Sequence, residues 1–461
     1  MSNASRFSKR ILMVGCGSVG QGLLPLLLQT LSIQATQLTI LTADERGRDV
    51  AAQRGVRFII EALTAQNYAA VLSQHLTAGD LLLNLSVDVS SQALISWCRP
   101  RDVLYLDTCV EPWVGGYLSS HSVPLQNSNT WLRQQVLALH HPDAPTAVIA
   151  HGMNPGLISH LLKEALVALA QRKHVAIDLK PDWAALAQTL GVKAIHLSEH
   201  DTQDDGQILS RGEFANTWSA QGLYSEAWLQ GAEVGWGSHE VETPLGALYS
   251  GSVLHLPQSG ANIRMRTWLP TWGEQQGYLI THHEVASITE MLSTGSYCPT
   301  VCYVYSPCPK AQQSLAYLGA GIAAHTFRVL DCNKVQGIDE IGVLLIHDTG
   351  ALWHGSTLRS DEAQRLAPHN SATSLQVVAG IVGALAWMFE HPRCGVVEAE
   401  DMDSAQILNV ARPWLGDVKT VDTDWSVEHS LLFQEFLVTA DAKNSECGLY
   451  SAAINAEEIG V

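Results

Sequence analysis

The chain has 461 residues, which at roughly 150 per domain is enough for two or three domains and a sizeable core, and this excludes a disulfide-stapled miniprotein. Charged residues make up 16% against the ~25% of an average protein, and 27 Lys and Arg against 45 Asp and Glu leave a net charge of −18. Nucleic acid and anionic membrane surfaces both reward basic patches and are therefore poor partners; a small cationic molecule suits such a chain better.

Arg6, Lys9 and Arg10 precede a short apolar run that breaks at Gly15, too early for a signal peptide. No stretch approaches the ~18 to 20 uninterrupted apolar residues of a membrane span, so a cytoplasmic protein is expected. Between Arg10 and Ala150, β-type apolar runs alternate with helical patterns: Ile11 to Val14, Leu38 to Leu41, Val56 to Ile60, Leu81 to Leu85, Val103 to Leu106 and Ala147 to Ala150. Six such runs predict a Rossmann-type, doubly wound parallel sheet in an α/β fold, with ligands gathered beyond the carboxyl ends of its strands.

After Asn154-Pro155-Gly156 a helical stretch, Leu157 to Gln171, leads into segments that alternate in the antiparallel style, such as Ala194 to Glu199 and Val301 to Tyr305. This predicts a second, α+β domain for substrate binding and dimerisation. Thr373 to Glu390 reads as one long apolar helix, with Gly380 and Gly383 letting it pack closely against a sheet. The expected division is residues 5–153 for the nucleotide domain, 154–370 for the α+β domain, and 371–461 for a C-terminal segment returning to the first domain. The tail from Ala440 is acidic and weakly patterned. Nine cysteines, never spaced as CxxC, read as mostly reduced and buried; the loose group Cys298, Cys302 and Cys308 has no adjacent His pair, and no metal site is expected.

The strongest local signal is Gly15-Cys16-Gly17-Ser18-Val19-Gly20, directly after a strand and opening an apolar helix. The first glycine permits a tight turn, the second a close approach of backbone to a pyrophosphate, the third close packing of helix on strand. Gly15, Gly17, Ser18, Val19 and Gly20 are therefore candidate dinucleotide ligands. The acid that takes the ribose has no clean match: the second strand ends at Thr42, and Asp44 is the candidate, with loop solvation as its alternative. Arg46 and Arg48 follow the strand end without occupying it, which favours NAD over a 2′-phosphorylated cofactor. Asn84-Leu85-Ser86-Val87-Asp88 and Asp107-Thr108-Cys109-Val110-Glu111 end the fourth and fifth strands. Asn84, Ser86 and Thr108 fall beside the nicotinamide half, and Asp88 and Glu111 give neighbouring carboxylates with no basic residue near.

The second domain repeats the theme in Glu199-His200-Asp201, Trp218, Glu226, His282-His283-Glu284 and Asp339-Glu340. Acids flanking an indole suit an ammonium group, which a carboxylate pairs with and a Trp face attracts. Neighbours on a strand point to opposite faces, so at most His282 and Glu284 share one side, and proton handling is the preferred reading over metal binding.

Taken in order, GCGSVGQG, NLSVD, VEPW, NPG, SEHDTQ, NTWS, THHE and GIDEIGVLL resemble the bacterial homospermidine synthases, within the wider saccharopine dehydrogenase-like group, over about residues 10 to 420. The resemblance implies tightly held, recycled NAD, homodimers, a potassium requirement, and putrescine and other small polyamines as substrates. By it, Glu199 and Glu226 match acids that hold and deprotonate the diamine, Trp218 its cation–π wall, and Asp88, Glu111, Asn154, His282, Glu284 and Asp339 the rest of the polar site. The role assignments are Glu199 with His282 for proton transfer, Glu226 and Asp339 for the distal ammonium, and Asp88 and Glu111 near the reacting amine. Where the family often has an acid at the second strand end, this chain has Thr42. Two other readings stay open: a saccharopine- or carboxynorspermidine-type dehydrogenase, which needs a basic residue for its substrate's carboxylate, and a non-catalytic NAD-binding sensor.

Overall fold

The computed structural model describes residues 7–117, 125–126, 128–427 and 430–438. Residues 5 and 6, Cys447 and the acidic tail from Ala440 lie outside the described residues.

Each of the six apolar runs becomes a strand: β1 (Ile11–Val14), β2 (Leu38–Thr42), β3 (Arg57–Ile60), β4 (Leu81–Asn84), β5 (Leu104–Asp107) and β6 (Ala147–Val148). All pair in parallel, in the order β6-β5-β4-β1-β2-β3. The central strands are apolar on both faces because both are covered: Ile11 and Met13 enter one core, Leu12 and Val14 the other. The chain winds outward from β1 to β3 and re-enters beside β1 as β4. The carboxyl ends of β1 and β4 thus flank the crevice where such sheets bind ligands.

The second domain carries β7 (Val192–Asp201), β8 (Glu213–Asn216), β9 (Gly231–Gly235), β10 (Leu248–Ser250), β11 (Val253–Ser259), β12 (Arg264–Leu269), β13 (Gly273–Ile280), β14 (Thr300–Ser306), β15 (Thr326–Val329), β16 (Ile338–His347) and β17 (Gly350–Arg359). A ten-stranded mixed sheet runs β10-β11-β9-β14-β7-β16-β17 and ends on a later strand, with the β12–β13 hairpin pairing onto β14. The segments expected to alternate in antiparallel fashion, β7 and β14, pair in parallel instead. Their alternation does not separate core from solvent. Val301, Tyr303 and Tyr305 enter one core and Cys302 and Val304 another, so β14 is buried throughout.

The stretch beyond residue 370 divides between the two sheets. Strand β18 (Val396–Val397) pairs in parallel with β6 and extends the first sheet, whereas β19 (Asp417–Thr423) pairs with β17 and closes the edge of the second. Helix Ala372–Glu390 is capped by Ser371, whose hydroxyl accepts from the Ser374 amide. It is long and apolar enough to cross a membrane, but Thr373, Ser374 and Gln376 interrupt it and 83% of its apolar window is buried inside the fold. Its glycines do not serve packing against a sheet face. A Cβ on Gly380 would lie 1.9 Å from the Gly152 carbonyl oxygen just after β6, and one on Gly383 would meet Ile407 of helix Ser404–Ala411 at 3.1 Å. All eight described cysteines are free thiols, five of them buried.

Candidate active site

The Gly-rich loop follows β1 as a tight turn. Gly15 sits at φ +91°, where a Cβ would lie 2.8 Å from the Leu85 carbonyl oxygen and has no room; at Gly20 a Cβ would press on the Gly15 carbonyl at 3.1 Å. A Cβ on Gly17 would project into open space. Helix Ser18–Gln29 starts there with no side-chain cap and no acid in its first turn, leaving its leading amides for an anion. The loop therefore fits a pyrophosphate.

Around it opens a cleft of about 570 Å³ at the carboxyl ends of β1, β2, β4 and β5. Gly15, Gly17, Ser18, Val19 and Gly20 line it, with Asp44, Asn84, Ser86 and Thr108. Asp88, Glu111, Trp218 and Glu226 line it as well, so the structure brings both expected groups to one place. Asp44 is engaged by Arg46, 2.7 Å away, whose hydrogen bond holds its carboxyl below the usual range. Arg46 is the one Lys or Arg lining the cleft among the described residues. It stands at the β2 end, paired with Asp44. Asn84 accepts from the Ser86 hydroxyl at 2.7 Å, which fixes the turn after β4.

Asp88 adopts φ +61°, and its amide donates to Glu111 at 3.4 Å. Glu111 is buried after β5, with its own amide held by the Ser91 hydroxyl at 3.1 Å. Burial first, then the nearby charges of Asp88 and Glu226, push its carboxyl up to about 8. Burial also raises Asp88. Glu226 sits in a π-helical turn, Ser225–Leu229, a geometry frequent at functional sites. Burial lifts it to about 7, and one of its buried oxygens has no hydrogen-bond partner.

Asn154, Glu199, His282, Glu284 and Asp339 are not on the cleft wall; they form a layer behind Glu226. His282 is the bridge. Its Nε2 lies 3.6 Å from Glu226 and its Nδ1 2.7 Å from Glu284. Burial alone would lower this imidazole, but Glu284 and Glu226 outweigh it and hold it up at about 9. His282 and Glu284 meet for a different reason from the expected strand alternation: β13 ends at Ile280, and His282 is the N-cap of helix His283–Met291. That helix start is tied to the first domain by His283, which bonds Glu398 at 2.6 Å beyond β18, and Glu398 is gripped by Arg133 at 2.6 Å.

Glu199, on β7, accepts from the Tyr303 hydroxyl at 2.5 Å and from the Asn154 amide at 3.3 Å. Burial pushes it up to about 8. Asp339 pairs in register with Asp201 across β16 and β7, on the face that carries Glu199. Burial, then Glu199 and Asp201, raise Asp339 far above the carboxylate range; one of its oxygens accepts from Thr373, and a side-chain hydrogen bond links its carboxyl to Glu199.

The grouping thus differs from the one expected. Glu226 belongs with Glu111 and Asp88 rather than with Asp339, and Asp339 belongs with Glu199. Sequence reasoning gave no role to Tyr303, Asp201 or Thr373. Asp201 carried a usable signal, two residues after Glu199 on one strand face; Tyr303 carried none, since a tyrosine in an apolar strand reads as core. Among the described residues no group of three or more His, Cys, Asp or Glu side chains is arranged to hold a metal ion.

Two family descriptions match the chain: the saccharopine dehydrogenase NADP binding domain over residues 11–149 and the saccharopine dehydrogenase C-terminal domain over 152–423. A homospermidine synthase from Blastochloris viridis is 40% identical over 459 residues, covering 95% of this chain and 96% of its own. One from Mesorhizobium japonicum is 39% identical over 440 residues, covering 90% of each. The crystal structure of the homospermidine synthase of Legionella pneumophila in complex with NAD superposes with a TM-score of 0.87 at 39% identity, over 94% of this chain and 99% of that one. The saccharopine dehydrogenase of Saccharomyces cerevisiae shares the fold at 11% identity and a TM-score of 0.50, over 90% of this chain and 100% of that one.

Proposed function

Because the chain belongs to the homospermidine synthase family, within the saccharopine dehydrogenase-like group, we propose that it moves an aminobutyl group from putrescine or spermidine onto a second putrescine. Ammonia or diaminopropane leaves, and sym-homospermidine forms with no net redox change. The observation that carries this reading is the continuous acidic lining, Asp88, Glu111 and Glu226 on the cleft wall with Glu199 and Asp339 behind. Apart from Arg46 at its far end, no Lys or Arg lines this cleft among the described residues.

The loop Gly15 to Gly20 would hold the pyrophosphate of NAD, with Asp44 and Arg46 at the ribose end and Asn84, Ser86 and Thr108 at the nicotinamide end. Bound there, NAD would supply the hydride acceptor for the amine-bearing carbon and the hydride donor for the later imine. Everything else falls to the protein. A diammonium chain has two charged ends, and the site has two acid groups with His282 between them. Glu111, Asp88 and Glu226 on the cleft wall pair the ammonium ends, Trp218 offers its ring to the cation, and Glu199 with Asp339, behind the wall, takes up protons through His282.

Only a neutral amine carbon readily yields hydride, so the reacting ammonium must lose a proton. Glu199, poised at about 8 and hydrogen-bonded to Tyr303 and Asn154, suits that transfer near neutral pH. His282, charged between Glu226 and Glu284, passes protons between the two acid groups. The first imine loses ammonia to the second diamine's nitrogen, a step that a water-poor chamber protects from hydrolysis. The reading also includes a homodimer; among the described residues β10 is an edge strand that exposes Leu248 and Tyr249, an apolar edge suited to a second copy.

Supplying putrescine with substoichiometric NAD tests the proposal. It predicts triamine and ammonia in equal amounts with no build-up of NADH. Steady NADH accumulation without triamine would favour a saccharopine-type dehydrogenase, and no turnover with any diamine a nucleotide-binding sensor.

A further inference from the structure

Ser18 has two faces. It is the first residue of helix Ser18–Gln29, so its amide belongs to the set that meets the pyrophosphate. Its hydroxyl does not cap the helix. It donates instead to the Trp218 carbonyl oxygen at 2.5 Å, a contact between residues 200 positions apart in sequence.

Trp218 lies on a short link between β8 and helix Ala220–Tyr224. On one side the Thr217 hydroxyl is anchored to Asp201 at 2.7 Å; on the other the Ser219 hydroxyl accepts from the Gly222 amide at 3.0 Å. The Trp218 ring rests on Gly222, where a Cβ would come within 2.8 Å of it. From Gly222 the chain runs into the π-helical turn that presents Glu226. The phosphate loop, the Trp218 peptide, its ring and the Glu226 carboxylate therefore form one continuous mechanical path.

We propose that Ser18 is a positioning residue whose hydroxyl couples the phosphate loop to the diamine pocket, so that cofactor and diamine strengthen each other's binding. The inference rests on the pocket assigned above to the diamine. An anion on the loop amides holds Ser18 in place, Ser18 holds the Trp218 peptide, and Trp218 and Glu226 are thereby set for the ammonium. Linkage requires the effect to be reciprocal: whatever factor the nucleotide adds to diamine affinity, the diamine adds to nucleotide affinity.

NADH makes the test possible without turnover, since a reduced cofactor takes no hydride from an amine. Putrescine affinity is measured by calorimetry on nucleotide-free and on NADH-saturated protein, for the wild type, Ser18→Ala and Ser18→Thr. Saturation removes any weakening of nucleotide binding itself from the comparison. The expected result is that NADH raises putrescine affinity by about fivefold in the wild type, at the low end of ordinary coupling. Ser18→Ala brings the factor below about twofold, and Ser18→Thr, which keeps the hydroxyl, restores most of it. The same factor in Ser18→Ala as in the wild type overturns the coupling while leaving the diamine pocket standing. No wild-type effect of NADH also overturns it. Putrescine binding to neither form overturns the pocket assignment, and the coupling with it.

Discussion

Glu199 shows how neighbours set the chemistry of one side chain. Burial pushes its carboxyl up, and the hydrogen bond from Tyr303 pulls it part of the way back. Tyr303→Phe removes that bond and raises the carboxyl further. If Glu199 acts in its ionised form, the acid limb of the kcat/KM profile moves to higher pH, while an unmoved limb takes Tyr303 out of the proton path. Glu199→Gln keeps the shape and loses the base; kcat is expected to fall about 100-fold or more with NAD affinity unchanged. Trp218→Leu removes the cation–π face, worth about 0.5–2 kcal/mol, so the diamine KM rises about 2- to 30-fold while nucleotide binding holds. Unchanged catalytic efficiency would remove Trp218 from the site.

Between elements, a close approach of helix to backbone fixes the geometry. Helix Ala372–Glu390 reaches the backbone after β6 only because Gly380 has no side chain. Gly380→Ala forces that contact apart and is expected to cost about 1–3 kcal/mol, read as a lowered melting temperature. The parallel strands were legible in the sequence because a strand covered on both faces is simply a short apolar run, and the first βα turn because its glycines answer a specific steric demand. The parallel pairing of β7 and β14 was not legible. Alternation signals a face exposed to solvent only when one face is exposed, and here each face meets its own core. Most of the acids of the site were legible as residues, but their partners were not. Glu111 and Glu226 come from different domains, and only the docking of the Trp218 link against the phosphate loop brings them to one cleft wall.

The whole molecule carries a net charge of −18 and places part of its acidity inside. Glu111 and Glu199, each raised to about 8, bind protons more tightly folded than unfolded. Their contribution to stability is full below about 4.5 and is lost as pH rises through about 8. A diammonium ligand reverses this, since it pairs with the ionised form. Putrescine should therefore raise the melting temperature more at pH 8.5 than at pH 6, and its binding near pH 7 should release protons, seen as a dependence of calorimetric enthalpy on the buffer. Equal thermal shifts at the two pH values would remove these carboxyls from the ligand's path.

In the proposed cycle the hydride taken from the donor diamine returns to the same carbon without leaving the site. Putrescine carrying deuterium at both nitrogen-bearing carbons, turned over in the presence of excess unlabelled NADH, tests it most directly. Homospermidine is expected to retain all of its deuterium; replacement of one deuterium per molecule by hydrogen from the free cofactor would show that the hydride leaves the site.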